Sequence, residues 1–158
     1  MDYKSIINGC PAELRDCIKP PLFSLDGVET AAKIFQQYDL DSAYMAIMLH
    51  GQLTSFKIRM SHIDSPELRS KDPIEKKLAY EARDCARNLI ENKVCLVKCF
   101  GFDKYGRVLV EITTADGVLF HEWALEQKLA YPYEGKTKQT NWADLRVARD
   151  ALLSERKI

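Results

Sequence analysis

The clearest periodicity in the chain runs through residues 53–60, where Phe56, Ile58 and Met60 interleave with Ser55, Lys57 and Arg59. Alternation of this kind is a half-buried strand, one face to a core and the other offering Lys57 and Arg59 to solvent. Two β-rich runs precede it, at 30–38 and 42–49. The separators, Asp39-Leu40-Asp41 and His50-Gly51-Gln52, suit hairpin connections. Beyond residue 71 the period changes. Asp72 is a good N-cap, Pro73 suits the first helical position, and Glu75 stands where a capping box would place it. Leu78, Ala82, Cys85 and Leu89, flanked by Ala79, Ala86 and Ile90, then form one apolar stripe that runs to a stop at Asn92. Val94–Phe100 and Arg107–Thr113 read as two further strands. Asp116-Gly117 is a turn, and helices are expected over about 119–127 and 138–154, the latter supported by Trp142, Leu145, Ala148 and Leu152.

Three strands, a helix, two strands and two helices describe an α+β, mainly β chain. Five short strands with a helix after the third suit a five-stranded Greek-key barrel of the OB-fold type. Residues 1–29, with Gly9, Pro11, Pro20, Pro21 and Gly27, fall outside this pattern. They are expected to form an N-terminal extension packed on the domain, with a short helix between Pro11 and Lys19. The barrel domain is then residues 30–158.

Composition narrows the class. At 158 residues, with 46% hydrophobic and 29% charged positions, the chain is an ordinary single globular domain. No run reaches the ~18–20 apolar residues of a membrane helix, and the first residues are too weakly apolar for a signal peptide. Five cysteines, an odd count at irregular spacing, do not make a secreted disulfide framework. An intracellular protein, cytoplasmic or nuclear, is expected. The formal charge is zero, which argues against binding nucleic acid by bulk positive charge. The zero is an average, however: residues 1–50 carry four basic and seven acidic side chains, and residues 51–158 carry 19 and 16.

Four clusters carry the candidate chemistry. They are Asp39-x-Asp41, Arg59-x4-Asp64-Ser65-Pro66-Glu67, Asp103-Lys104-Tyr105-Gly106-Arg107 and Tyr131-Pro132-Tyr133. Each has an ordinary reading alone: a solvated Asx turn for the first, surface arginines, and tyrosines packed under the last helix. Cys95 and Cys99 fit core positions on a strand, and C-x3-C without a second pair is a poor zinc site. His50, His62 and His121 have no nucleophile nearby in sequence.

Taken together, the motifs resemble the staphylococcal-nuclease-like (thermonuclease) family over about Thr30–Ser154. R-x4-D-[ST]-P-E followed by D-K-Y-G-R is specific as a pair. The resemblance implies a calcium-dependent nuclease that hydrolyses phosphodiester bonds of DNA or RNA with low sequence specificity, leaving 3′-phosphates. It implies metal ligation by Asp41, Asp64 and the Ser65 carbonyl, with Asp39 as the fallback first ligand because Leu40 stands where the family has glycine. Glu67 matches the carboxylate that orients or deprotonates the attacking water. Arg59 and Arg107 match the phosphate-binding arginines, whose planar guanidinium groups suit bidentate contact. Lys104 and Tyr105 would contact a terminal phosphate, and Tyr131 and Tyr133 would flank a base. Arg69 and Lys71, in the loop after Glu67, are further backbone contacts or simply solvated. The alternative is a non-catalytic nuclease-like domain that binds nucleic acid or a protein partner, and residues 1–29 could mediate a homo-oligomer or partner contact.

Overall fold

The computed structural model describes residues 2–157. Its centre is a closed barrel whose strands neighbour one another in the order β1 (Glu29–Asp39), β2 (Ser42–Leu49), β3 (Gln52–Met60), β6 (Val108–Thr113), β5 (Val94–Phe102) and back to β1. All pairings are antiparallel except β3 with β6. A second, two-stranded sheet joins β4 (Ile63–Asp64) to β7 (Tyr131–Pro132). This is the five-stranded OB-type barrel that the alternation predicts.

The core is formed by the inward residues of every barrel strand, among them Ile34, Met45, Ile58, Val97, Val110 and Ile112. The α3 helix (Pro73–Ile90) closes it with Leu78, Ala79, Ala82, Ala86 and Ile90. Small residues on this stripe let the helix lie close to the strands beneath it. Cys95 and Cys99 point into the barrel as expected, and no disulfide is present among the described residues. Next comes α4 (Phe120–Glu126), with Phe120 and Ala124 buried. Finally α5 (Trp142–Glu155) docks on α3 through Glu81, whose carboxylate accepts from both Arg146 and Arg149. Arg149 is only 5% exposed and also donates to the Gln127 carbonyl at 2.7 Å.

Two expectations change. Asp72 caps α3 by accepting from the Ile74 N–H at 3.0 Å, but Glu75 does not complete a capping box. The Asp72 N–H is taken instead by the Ser70 hydroxyl, and Glu75 reaches across to the loop before the helix. The N-terminal extension also differs from a packed one. Its helices α1 (Tyr3–Asn8) and α2 (Ala12–Asp16) bury no residue, and Ile18 and Leu22 are almost fully exposed. Pro20-Pro21 hold the chain extended after them. Contact begins at Phe23, whose ring stacks on Phe56 at 6.4 Å, and Leu25 is part of the core.

Candidate active site

The β1–β2 hairpin and the end of β3 converge at one rim of the barrel. Ser42 pairs with both Asp39 and Arg59, so the aspartates of the hairpin lie beside the arginine of β3. The parallel pairing of Ile58 with Val108 sets both of those side chains inward. Arg59 and Arg107, each one position away, therefore emerge on the same outer face. Just past β3 the chain turns through Ser61 and His62 into β4, which delivers Asp64.

Three carboxylates are nearly buried here: Asp39 at 9% exposure, Asp41 at 7% and Asp64 at 4%. The Arg59 guanidinium spans two of them, with Nη2 3.3 Å from Asp41 and 3.6 Å from Asp64. Its Nη1 donates to the Met60 carbonyl at 3.1 Å. Lys138, from the segment before α5, places Nζ 2.8 Å from Asp64 Oδ1. Burial, with the neighbouring Asp39 carboxyl second, raises the Asp41 pKa to about 7, although Arg59 pulls the other way. The two hairpin aspartates differ in their ties: Asp39 accepts from the Ser42 hydroxyl, whereas Asp41 accepts from the Ser65 N–H and faces Arg59.

Glu67 lies at the mouth of this cleft, exposed, and its carboxylate makes no hydrogen bond or ion pair among the described residues. Its backbone is held: the Glu67 N–H donates to Glu75 Oε1 at 3.1 Å, and Ser70 donates to the other oxygen of the same carboxylate. One helix residue thus ties down the loop bearing the candidate water-handling group.

Arg107 is positioned by a turn that Asp103 builds. One Asp103 oxygen accepts from the N–H groups of Tyr105 and Arg107 at 2.8 and 2.9 Å. The other accepts from Arg107 Nε at 2.8 Å. Gly106 supplies the positive φ, +81°, that the turn requires. Burial opposes ionisation of Asp103, but these hydrogen bonds outweigh it and hold the carboxyl below its ordinary pKa.

Asp39, Asp41, Arg59, Asp64, Ser65, Glu67, Tyr105 and Arg107 therefore line one cleft of about 440 Å³. A contiguous cleft adds Lys104 and Tyr133. Tyr133 stands with its ring centroid 5.7 Å from both the Arg59 guanidinium and the Lys138 ammonium. Arg69 also lines the first cleft, Lys71 lines neither, and Tyr131 is placed elsewhere. It pairs with Asp64 across β4–β7, packs on Trp142 at 5.4 Å and donates its hydroxyl to the Asn141 carbonyl. The strand pair ends at Pro132; Tyr133, whose N–H donates to the His62 carbonyl at 2.8 Å, lies beyond it and takes the cleft, while Tyr131 takes the helix. His62 lines neither cleft; Glu111 and Glu134 engage it from either side.

The sequence match agrees with this geometry. The family model described as staphylococcal nuclease homologue matches residues 57–156, more than half of the chain. The chain belongs to the staphylococcal nuclease homologue family. No curated protein matches it. The matched region runs from β3 to α5 and so contains Arg59, Asp64, Glu67, Arg107 and Tyr133. Asp39 and Asp41 lie before it; the pairing of β1 with β2 and of β2 with β3 brings them to the same rim.

Lys138, Glu75 and Asp103 are the site residues that motif reading leaves without a role. Asp103 is visible in its cluster but reads only as part of a turn. Glu75 is masked by its fit to a capping box. Lys138 has no signal, because its contact with Asp64 spans the whole domain.

Proposed function

We propose that the chain is a calcium-dependent nuclease that hydrolyses phosphodiester bonds of DNA or RNA with little sequence preference. The observation that carries the reading is the grouping of Arg59 and Arg107, on one face, with Asp41, Asp64 and Glu67 around a single open cleft. Two guanidinium groups suit the equatorial oxygens of a phosphate, and stay charged at any working pH. Buried carboxylates beside them have no use in a site that binds an anion alone, since they would repel it.

A hard divalent cation fits the donor set. The oxygens are carboxylates with the Ser65 backbone beside them, and burial disfavours the charged form of Asp41, which a bound cation would favour. Among the described residues no three His, Cys, Asp or Glu side chains are arranged to hold a metal alone. Asp41, Asp64 and the Ser65 carbonyl would hold the ion, completed by water, as the 6–8 oxygen ligands typical of calcium allow. The bound ion would supply positive charge to polarise a phosphate oxygen.

The chain's own residues account for the rest. Glu67, uncommitted and at the cleft mouth, orients the attacking water and accepts its proton. Arg59 and Arg107 grip the scissile phosphate and neutralise charge that develops on its oxygens. Lys104 and Tyr105 take a neighbouring phosphate, and Tyr133 offers a face on which a base stacks regardless of its identity. Tyr131 acts indirectly, through its pairing with Asp64.

Incubation of the purified chain with single-stranded DNA and RNA, with calcium and then with excess EDTA, tests the reading. Cleavage that requires calcium and yields 3′-phosphate ends supports it. Tight binding without cleavage would favour the non-catalytic alternative.

A further inference from the structure

Two further spaces share Arg107 with the catalytic cleft. One space is the cleft with Lys104 and Tyr133; the other is a groove of about 250 Å³ along β1, β2 and β3 that Tyr133 does not line. Tyr38 and Arg107 line both the catalytic cleft and this groove, as Tyr105 and Arg107 line both the catalytic cleft and the Tyr133 side. Arg107 thus lines all three spaces.

The groove has its own chemistry. Two cations, Lys57 and Arg107, line it, and no carboxylate does. Two tyrosines wall it. Tyr44 is backed by Phe35, with ring centroids 5.5 Å apart, and carries Lys57 Nζ 5.9 Å from its own centroid. Tyr38 is 48% exposed, and the Arg69 guanidinium lies 5.9 Å from its ring.

A device in the backbone puts Tyr38 there. Along β1 the buried positions are Ala32 and Ile34, then Gln37 and Asp39, so the inward parity switches. The switch occurs at a bulge where Gln36 takes φ +48°. Without it Tyr38 would face the core and Asp39 solvent. Gln37 fixes the bulge from both directions. Its side-chain amide donates to the carbonyls of Asp39 and Leu40, its N–H donates to Glu91, and its carbonyl accepts from Arg87.

We infer that this groove is a second nucleotide subsite, on the side of the scissile phosphate opposite Tyr133. Tyr38 stacks the base, Tyr44 forms the wall, and Lys57 pairs with the next phosphate. A single strand occupying all three spaces enters and leaves the site, so an internal bond fits better than a terminal one. The inference rests on the cleft being a nucleic-acid site, but not on that site being catalytic.

The test is fluorescence anisotropy of 5′-labelled (dT)8 in EDTA, which needs neither metal nor turnover. Tyr38→Ala and Lys57→Glu are each expected to weaken binding by about 5- to 30-fold, the range of one lost stacking or phosphate contact. Tyr38→Phe, which keeps the ring, should bind as the parent does. Lys98→Glu, the same charge reversal on an exposed β5 position outside the groove, should have little effect. Parent-like affinity in both Tyr38→Ala and Lys57→Glu overturns the subsite while leaving the catalytic cleft standing. Equal weakening by Lys57→Glu and Lys98→Glu overturns it too, as diffuse attraction. Absence of (dT)8 binding both by the parent chain in EDTA and by the Glu67→Gln chain with calcium removes the subsite and the nucleic-acid reading together.

Discussion

Lys138 and Asp64 are joined by a 2.8 Å ion pair that sets an ammonium against one of the two carboxylates proposed to hold calcium. The lysine comes from the segment before α5 and Asp64 from β4, so the pair ties the cleft wall to its floor. An ammonium so placed competes with a metal ion for the same oxygen. Lys138→Ala should therefore raise calcium affinity. The gain is expected to be about two- to five-fold, in keeping with a pair whose lysine is half-exposed to solvent. Isothermal titration of calcium into the parent and the variant checks it. Weaker binding by the variant would mean that Lys138 supports the ion's site instead of contesting it.

Glu75 should matter to turnover although it touches neither phosphate nor water in this arrangement. It holds the Glu67 N–H and the Ser70 hydroxyl. Misplacement of a reacting group by about 1 Å can cost 100-fold in rate. Glu75→Ala is expected to lower kcat by about ten- to a hundred-fold with KM little changed, and the melting temperature only slightly. A variant with parent kcat would show that the loop holds Glu67 without this tie.

Asp103 makes the same kind of argument for Arg107. Its carboxylate accepts two backbone N–H groups and the arginine Nε. In Asp103→Ala the turn loses these acceptors and the guanidinium loses its anchor, each bond to a charged group being worth about 1.5–3 kcal/mol. Substrate affinity should fall, and Arg107→Lys should lower it as well, because the forked geometry is lost. Binding of a labelled oligonucleotide to Asp103→Ala, with the Arg107→Lys chain alongside, measures both.

The α3–α5 contact predicts a pH dependence of stability. Burial disfavours the Glu81 carboxylate, but hydrogen bonds and charge from Arg146 and Arg149 outweigh it and lower its pKa below 4.5. A carboxyl whose folded pKa is depressed stabilises the fold above its unfolded value and loses that contribution as pH falls through the folded one. Glu81→Gln should thus cost stability at neutral pH and cost progressively less below about 4.5. The neutral-pH loss is expected to be about 1–2 kcal/mol, less than for a fully buried pair because Glu81 keeps some solvent contact. Urea melts of both chains at pH 7 and pH 4 give the difference; a gap that widens in acid contradicts the assignment.

Much of this was legible from residue order. Alternation at Phe56, Ile58 and Met60 foretold β3, the Asp72-Pro73 start foretold α3, and the paired motifs around Arg59 and Arg107 foretold which residues share the cleft. What remained hidden depends on contacts distant in sequence. The bulge at Gln36 rests on hydrogen bonds from Arg87 and to Glu91, more than 50 residues away in the chain. No local pattern signals the parity change that turns Tyr38 outward and Asp39 inward. Glu75 satisfied a local rule so well that its actual partners, in the preceding loop, were obscured. Tyr131 and Tyr133, two residues apart, would share a face of a continuous strand, and they part because β7 ends at Pro132.

Catalysis in this cleft depends most directly on Glu67. The most direct measurement is the rate of cleavage of a single-stranded oligonucleotide by the parent chain and by Glu67→Gln, each with calcium and with EDTA. Glu67 is solvent-facing and makes no side-chain bond, so the substitution should leave the fold intact. Calcium-dependent cleavage by the parent, cut by about 100- to 10,000-fold in Glu67→Gln with oligonucleotide binding retained, is the predicted result. Equal rates in the two chains, or no calcium-dependent cleavage by the parent, would contradict it.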